Sequence, residues 1–134
     1  MATERDAAKK TILVVDDEPG NRRLYSEILR DLGHNVIDEP DGASAMVVVR
    51  DGTKLDLVIT DYRMPDMSGL ELVTALRQVH PSVPVIMITA YASIENYFQS
   101  LSLGVFEYIN KPFVKREFER IVKAALLQHG KNAA

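Results

Sequence analysis

The sequence predicts an α/β fold in which five parallel strands form one sheet and five helices cover its two faces. Three short segments are continuously apolar and rich in β-branched residues, which is typical of strands buried on both faces of a parallel sheet. Between them, apolar residues recur with helical spacing, so strands and helices alternate along the chain. The three apolar segments are residues 11–15 (TILVV), 57–60 (LVIT) and 85–89 (VIMIT).

Two shorter segments complete the set of strands. They are residues 35–38 (NVID) and 105–109 (VFEYI). Each follows a glycine, Gly33 or Gly104, that can end the preceding helix because glycine accepts a positive φ. Each of these two strands is therefore expected to begin shortly after the preceding helix ends.

Five amphipathic helices are expected between the strands and after the last one. Pro19 suits the first turn of the first helix, and Asp41 with Gly42 precedes the second. Pro81 ends the third helix, and Ser93 can cap the N-terminus of the fourth. Their apolar faces are, in order, Leu24, Ile28, Leu29 and Leu32; Ala43, Met46, Val47 and Val49; Leu72, Val73, Leu76 and Val79; Ile94, Tyr97, Phe98 and Leu101; and Phe118, Ile121, Val122, Ala125 and Leu126.

Five strands in a chain of 134 residues fit the flavodoxin-like, doubly wound sheet with strand order 2-1-3-4-5. Ligands of such sheets bind at the carboxyl ends of the strands. Asp16 and Asp17 follow the first strand, and Asp61 ends the third. Thr89 ends the fourth strand, and Lys111 lies near the end of the fifth. We therefore expect these five side chains to meet at one edge of the sheet.

The residue types at this edge favour a hard cation. Carboxylates brought close together repel one another unless a positive charge intervenes. Oxygen ligands without Cys or His suit Mg²⁺, which prefers octahedral oxygen coordination and keeps several waters. The sequence therefore predicts a Mg²⁺ site, with Lys111 as a second positive charge.

Composition narrows the class of protein. The chain is of single-domain length, and we expect a domain over residues 11–128 with flexible tails at 1–10 and 129–134. It has no cysteine for a disulfide or thiolate site, and its three histidines are far apart. A net charge of −3 offers no footprint for direct nucleic-acid binding. No apolar run approaches the roughly 20 residues that span a bilayer, and no signal peptide is evident, so we expect a cytoplasmic domain without membrane contact.

Four stretches resemble the receiver domains of bacterial two-component response regulators. They occur in the family's order, at its spacing and at predicted strand ends. They are VVDDEP (14–19), ITDYRMPDMSGLEL (59–72), VIMITAYAS (85–93) and YINKPF (108–113), and the resemblance extends over residues 11–128.

The resemblance implies a phosphoacceptor and its metal ligands. Asp61 would be the aspartate that receives the phosphoryl group. Asp17, Asp61 and the backbone carbonyl of Arg63 would hold Mg²⁺, with Asp16 bound directly or through a water.

The resemblance also implies residues that contact the phosphoryl group or respond to it. Thr89 would donate its hydroxyl to a phosphoryl oxygen, and Lys111 would pair with Asp61 or with the phosphoryl group. Tyr108 would be the aromatic residue that turns inward when Thr89 moves, although core filling explains a tyrosine here as well. The family usually has a cis peptide between Lys111 and Pro112.

The function implied is a phosphorylation-controlled switch rather than a metabolic enzyme. A sensor histidine kinase or a phosphotransfer protein would supply the phosphoryl group. An unidentified downstream protein would respond to the fourth helix, fifth strand and fifth helix, and a phosphorylation-dependent homodimer stays open. Arg63 and Tyr91 would flank the path of the hydrolytic water, and their size predicts slow autodephosphorylation.

Other functions on the same fold fit the residues less well. A flavin or nucleotide binder needs a loop after the first strand that cradles phosphate, whereas residues 16–20 (DDEPG) are acidic. A phosphohydrolase usually places an acid two residues after its nucleophile, where this chain has Arg63. A degenerate receiver that serves only as an interaction module would lack parts of the site, and none looks degenerate. The chain could be a stand-alone switch, a receiver excised from a larger transcription regulator, or a phosphorelay intermediate.

Overall fold

Strands and helices alternate along the chain in the computed structural model, which describes residues 9–90 and 92–133 and the side chains up to 130. The strands are β1 (Thr11–Val15), β2 (Asn35–Glu39), β3 (Leu57–Asp61), β4 (Val85–Thr89) and β5 (Glu107–Asn110). The helices are α1 (Pro19–Asp31), α2 (Gly42–Arg50), α3 (Gly69–Val79), α4 (Ile94–Ser102) and α5 (Lys115–Ala133).

The five strands form one parallel sheet in the order β2-β1-β3-β4-β5, which confirms the predicted fold and topology. The central strands β3 and β4 are buried along their whole length, as their continuous apolar runs predict. Register brings the carboxyl ends together, since Val15 pairs with Thr60 and Asp61 pairs with Ile88.

Two apolar layers pack on the sheet, because successive residues of a strand point to opposite faces. Ile12 and Val14 contribute to the layer under α1 and α5, whereas Leu13 and Val15 contribute to the layer under α2 and α3. The first layer contains the fully buried Phe118, whose ring stacks on that of Tyr25 with 5.5 Å between the centroids. Both faces of the central strands β3 and β4 are therefore closed to water.

Local signals set the helix ends where the sequence predicts them. Ser93 accepts a hydrogen bond from the backbone N–H of Asn96 and caps α4. Gly33 and Gly104 follow the ends of α1 and α4 with φ of 96° and 74°, which glycine adopts without a steric penalty. These turns fix the entry of the chain into β2 and β5.

Helix α4 forms with the predicted apolar face, but the core does not cover this face. Its apolar residues face outward and Ser100 is its buried residue. Ser100 can be buried because its hydroxyl donates to the carbonyl of Asn96 within the helix. Helical periodicity reveals an apolar face without revealing which surface covers it. The exposed set is Ile94, Tyr97, Phe98 and Leu101.

The C-terminus also differs from the predicted loose end at 129–134. Helix α5 continues to Ala133, and the His129 Nε2 lies 3.6 Å from a carboxylate oxygen of Asp56. Residues 1–8 of the expected N-terminal tail, and Ala134, lie outside the described residues. Within the described part of the chain, no helix combines the length and apolar character needed to cross a membrane.

Candidate functional site

Three aspartates meet at the carboxyl edge of the sheet. Asp16 and Asp17 follow β1 and Asp61 ends β3, and one carboxylate oxygen from each lies within 4.8 Å of the others. Asp16 and Asp61 are 1% and 9% exposed, so water screens their charges weakly. The cluster is therefore anionic and suited to a cation.

The Asp16 carboxylate carries the strongest electrostatic strain of the cluster. One oxygen, Oδ1, accepts a hydrogen bond from the backbone N–H of Glu18 at 2.9 Å. The other, Oδ2, is buried and has no hydrogen-bond partner among the described residues. Burial, with a contribution from Asp61, raises the pKa of Asp16 to about 6, although Glu18 and Lys111 oppose the shift. A buried carboxylate oxygen without a hydrogen bond, beside two other carboxylates, is the donor set that a hard metal ion requires.

Lys111 supplies a positive charge from the other side of the cluster. Its Nζ lies 3.3 Å from Asp61 Oδ2 and 3.9 Å from Asp16 Oδ2. The backbone N–H of Lys111 donates to the carbonyl of Thr89 at 2.8 Å, which holds the end of β5 beside β4. The peptide bond between Lys111 and Pro112 is cis.

Thr89 and Tyr108 lie on neighbouring strands beyond the acid cluster. Thr89 ends β4, one residue after the register partner of Asp61, and is fully buried. Tyr108 lies opposite Met87 on β5, and its ring meets that of Tyr97 edge to face, with 6.0 Å between the centroids. The Tyr108 hydroxyl is buried and makes no hydrogen bond of ordinary geometry among the described residues; burial raises its pKa, and an interaction with the Asn96 side chain opposes the shift.

The loop after β3 is held against the site by its backbone. The N–H of Arg63 points to Asp61 Oδ1 at 3.4 Å, and the carbonyl of Tyr62 accepts a hydrogen bond from the N–H of Gly69 at 2.8 Å. Gly69 packs so closely that a Cβ there would collide with the carbonyl of Asp61 and lie 2.7 Å from the sulfur of Met87. This role of Gly69 is not predicted from the sequence, although the residue lies in the receiver-like stretch 59–72.

A shallow groove opens beside the acid cluster and gives access to it from solvent. Its walls come from Asp17 and from the loop that joins β3 to α3. The lining residues are Asp17, Tyr62, Arg63, Met64, Pro65 and Ser68.

The sequence-predicted residues fall into three groups. Asp16, Asp17, Asp61 and Lys111 are brought together. Arg63 lies two residues after Asp61, and Thr89 lies one residue past the register partner of Asp61 on β4. Tyr108 lies farther along, opposite Met87 on β5. Tyr91 lies outside the described residues.

Comparison with known proteins identifies this arrangement. The family model of the response regulator receiver domain matches residues 12–123. The chain belongs to this family. As a receiver domain it is related to signalling switches, and the family is generally phosphoaccepting.

Full-length relatives of this receiver domain are transcriptional regulators. It is 37% identical over 125 residues to the probable transcriptional regulatory protein TcrX of Mycobacterium tuberculosis, a match that covers 93% of this chain and 53% of the relative. It is 36% identical to the transcriptional regulatory protein GlrR of Escherichia coli, with coverage of 87% and 26%. The chain thus spans about half or less of the length of these relatives.

Solved structures agree with the fold. A response regulator receiver domain protein from Methanospirillum hungatei superposes with a TM-score of 0.88 at 31% identity. The superposition covers 92% of this chain and 98% of that one.

Proposed function

We propose that this receiver domain is a phosphorylation-controlled switch that accepts a phosphoryl group on Asp61. The donor is a sensor histidine kinase or a phosphotransfer protein. The observation that carries the proposal is the environment of the Asp61 carboxylate, which has Lys111 Nζ at 3.3 Å on one side and two further carboxylates on the other. A nucleophile for an anionic phosphoryl donor needs such neighbouring positive charge.

The residues present fit a Mg²⁺ ion. The carboxylates of Asp17 and Asp61 and the backbone carbonyl of Arg63 would hold it, and Asp16 would bind directly or through a water. When bound, Mg²⁺ offsets the negative charge between the carboxylate nucleophile and the phosphoryl donor.

The chain's own residues do the rest by position and charge. A carboxylate oxygen of Asp61 forms the new bond to phosphorus as the bond to the donor's imidazole nitrogen breaks. Lys111 then pairs with the phosphoryl group, and the Thr89 hydroxyl donates to one of its oxygens. The groove beside Asp17 leaves room for the donor side chain.

The signal leaves through α4, β5 and α5. When Thr89 moves toward the phosphoryl group, Tyr108 turns into the space beside it, and partner binding on this face changes. The outward apolar residues of α4, such as Phe98 at 61% exposure, give a downstream protein or a second copy an apolar surface to contact.

The full-length context favours a receiver that belongs to a larger transcription regulator. TcrX and GlrR are transcriptional regulators about twice and four times the length matched here, which supports this alternative over a phosphorelay intermediate. DNA binding would then be a property of the parent protein.

Intact mass measures phosphorylation directly. With Mg²⁺ and a small acyl-phosphate donor, the wild type should gain one phosphoryl group, and Asp61→Asn should gain none. After the donor is removed, the unmodified mass should return slowly, because the Arg63 side chain offers only N–H donors and no acceptor that could orient or deprotonate a water.

Asp66→Asn is the matched control. Asp66 is an exposed acid in the same loop with φ of 69°, a conformation that asparagine also accepts. This variant should be modified as the wild type is. Full modification of D61N would refute the assignment of Asp61.

A further inference from the structure

We propose that the hydrogen bond between Tyr62 and Asn96 is a latch that holds α4 in the position seen here and couples this position to the phosphoryl state of Asp61. The inference rests on the proposed function and names two positioning residues for it. Neither residue is among those that the sequence indicates.

The latch starts next to the phosphoacceptor. Tyr62 follows Asp61, and its hydroxyl donates to Asn96 Oδ1 at 2.9 Å, across 34 positions of sequence. The backbone of Tyr62 is fixed on both sides, since its N–H donates to the carbonyl of Ile88 at 3.0 Å and its carbonyl accepts from Gly69. The position of the Tyr62 ring therefore depends on the loop after β3, and its hydroxyl links this loop to α4.

The latch ends in the first turn of a helix whose large apolar side chains are mostly exposed. Asn96 donates its N–H to the cap residue Ser93 at 3.1 Å, and its carbonyl accepts from Ser100 at 2.9 Å. Ser100 is the buried residue of α4, while Ile94 and Phe98 are 77% and 61% exposed. An element with few buried apolar side chains opens and shifts at low free-energy cost. A single directed hydrogen bond can then contribute measurably to its position.

The hydroxyl of a second tyrosine, Tyr108, lies near the same Asn96 side chain. The buried Tyr108 hydroxyl makes no hydrogen bond of ordinary geometry within the described chain, but it lies close enough to the Asn96 side chain for an interaction that lowers its pKa. A buried hydroxyl that is poorly hydrogen-bonded is costly, so an arrangement that improves this bond is favoured. A shift of α4 that exchanges the Tyr62 bond for one from Tyr108 would provide a second discrete state.

Thermodynamic linkage makes the coupling measurable. If the Tyr62 bond is made in the unphosphorylated arrangement and lost in the phosphorylated one, its removal favours the phosphorylated arrangement. The affinity for a phosphoryl analogue must then rise by the same factor. One ordinary hydrogen bond corresponds to a change of about two- to tenfold.

Tyr62→Phe tests the latch, because it removes the hydroxyl and keeps the ring. Tyr97→Phe is the control, since Tyr97 lies on α4 and its hydroxyl makes no hydrogen bond within the part of the chain that the structure describes. Two quantities are measured: amide hydrogen exchange of α4 without ligand, and the affinity for beryllofluoride in Mg²⁺. We expect Y62F to exchange faster over the first turn of α4 and to bind beryllofluoride about two- to tenfold more tightly, with Y97F unchanged.

A second variant, Asn96→Ala, covers the case in which Y62F is poorly folded. If the two residues act as a pair, N96A alone speeds exchange, and the double variant adds little to either single one. Wild-type exchange of α4 in Y62F would overturn the latch. Faster exchange with unchanged beryllofluoride affinity would overturn its coupling to Asp61. If the wild type does not bind beryllofluoride at all, the proposed function and the coupling both fail, while exchange still decides whether the bond holds α4.

Discussion

At the scale of single residues, Asp16 shows how burial and charge act against each other. Its ordinary pKa of 3.8 rises to about 6 in the folded chain, chiefly through burial and further through Asp61. The folded state therefore binds a proton more tightly than the unfolded state does between these two values. This contribution to stability is complete below pH 3.8, is lost as the pH rises through about 6, and stays absent above.

The loss of stability with rising pH can be measured in the metal-free protein. In EDTA, the free energy of unfolding of the wild type relative to Asp16→Asn should fall by up to about 3 kcal/mol as the pH rises through the folded pKa. Above that pH the variant should be the more stable protein, since it carries no buried charge. Urea denaturation well below and well above the folded pKa measures the difference, and Asp66→Asn should follow the wild type at both. A pH-independent difference would show that the Asp16 carboxylate is not strained.

At the scale of elements, the strands can be predicted from the sequence, whereas which face of each helix packs on the sheet can be predicted only in part. The runs TILVV and VIMIT predict buried strands because short, continuous apolar runs rich in β-branched residues are typical of strands covered on both faces. The meeting of Asp16 with Asp61 was predictable as well, because the carboxyl ends of adjacent parallel strands share an edge. Cap residues such as Ser93 can be predicted from the sequence, because they bond to backbone groups within one helical turn.

The missed features depend on contacts between distant residues. The periodicity of residues 94–101 predicts helix α4 correctly, but whether Phe98 faces the core is decided by the tertiary packing of the helix. The continuation of α5 past Gly130 coincides with the proximity of His129 to Asp56, which lies far away in sequence. No local pattern marks the bond from Tyr62 to Asn96.

The junction of α3 with β3 supports a prediction at this scale. Gly69 begins α3 against the carbonyl of Asp61, so Gly69→Ala must displace either the helix or the strand end. We expect a loss of about 1–3 kcal/mol in the free energy of unfolding and weaker phosphorylation of Asp61. Gly20→Ala in α1 is the control, since a Cβ there meets nothing within 4 Å, and it should be neutral or slightly stabilising.

Chemical denaturation and phosphorylation by the acyl-phosphate donor, followed by intact mass, measure both effects of the Gly69 substitution. Unchanged stability of G69A would mean that α3 can yield at its first turn. The tight packing would then not be what positions Asp61.

At the scale of the whole molecule, the two edges of the sheet have different chemistry. At the amino edge, several polar groups are hydrogen-bonded: Asp56 accepts from the N–H of Thr11 at 3.0 Å, and His34 Nδ1 accepts from the N–H of Lys10 at 3.1 Å. The buried His129 Nδ1 beside Asp56 has no hydrogen-bond partner among the described residues. Arg77 donates to several backbone carbonyls there, the shortest bond being 2.6 Å to Val83. At the carboxyl edge, the acid cluster keeps a buried oxygen without a hydrogen bond. Hydrogen bonds at the amino edge connect neighbouring elements. At the carboxyl edge, a bound cation can relieve the repulsion between the buried carboxylates.

A ligand that relieves this strain must stabilise the whole domain, because it binds the native state and leaves the unfolded chain alone. Mg²⁺ should therefore raise the melting temperature of the wild type, by an amount that corresponds to about 2.7 kcal/mol at a concentration 100 times its dissociation constant. The rise should be much smaller in Asp17→Asn, which removes one carboxylate of the cluster, and undiminished in Asp66→Asn, which removes an exposed acid nearby. Comparing thermal melts with Mg²⁺ and with EDTA separates this effect from a general response to ionic strength, since Na⁺ at matched ionic strength should not reproduce it. Equal rises in D17N and in the wild type would remove Asp17 from the metal site and leave the acid cluster without its proposed role.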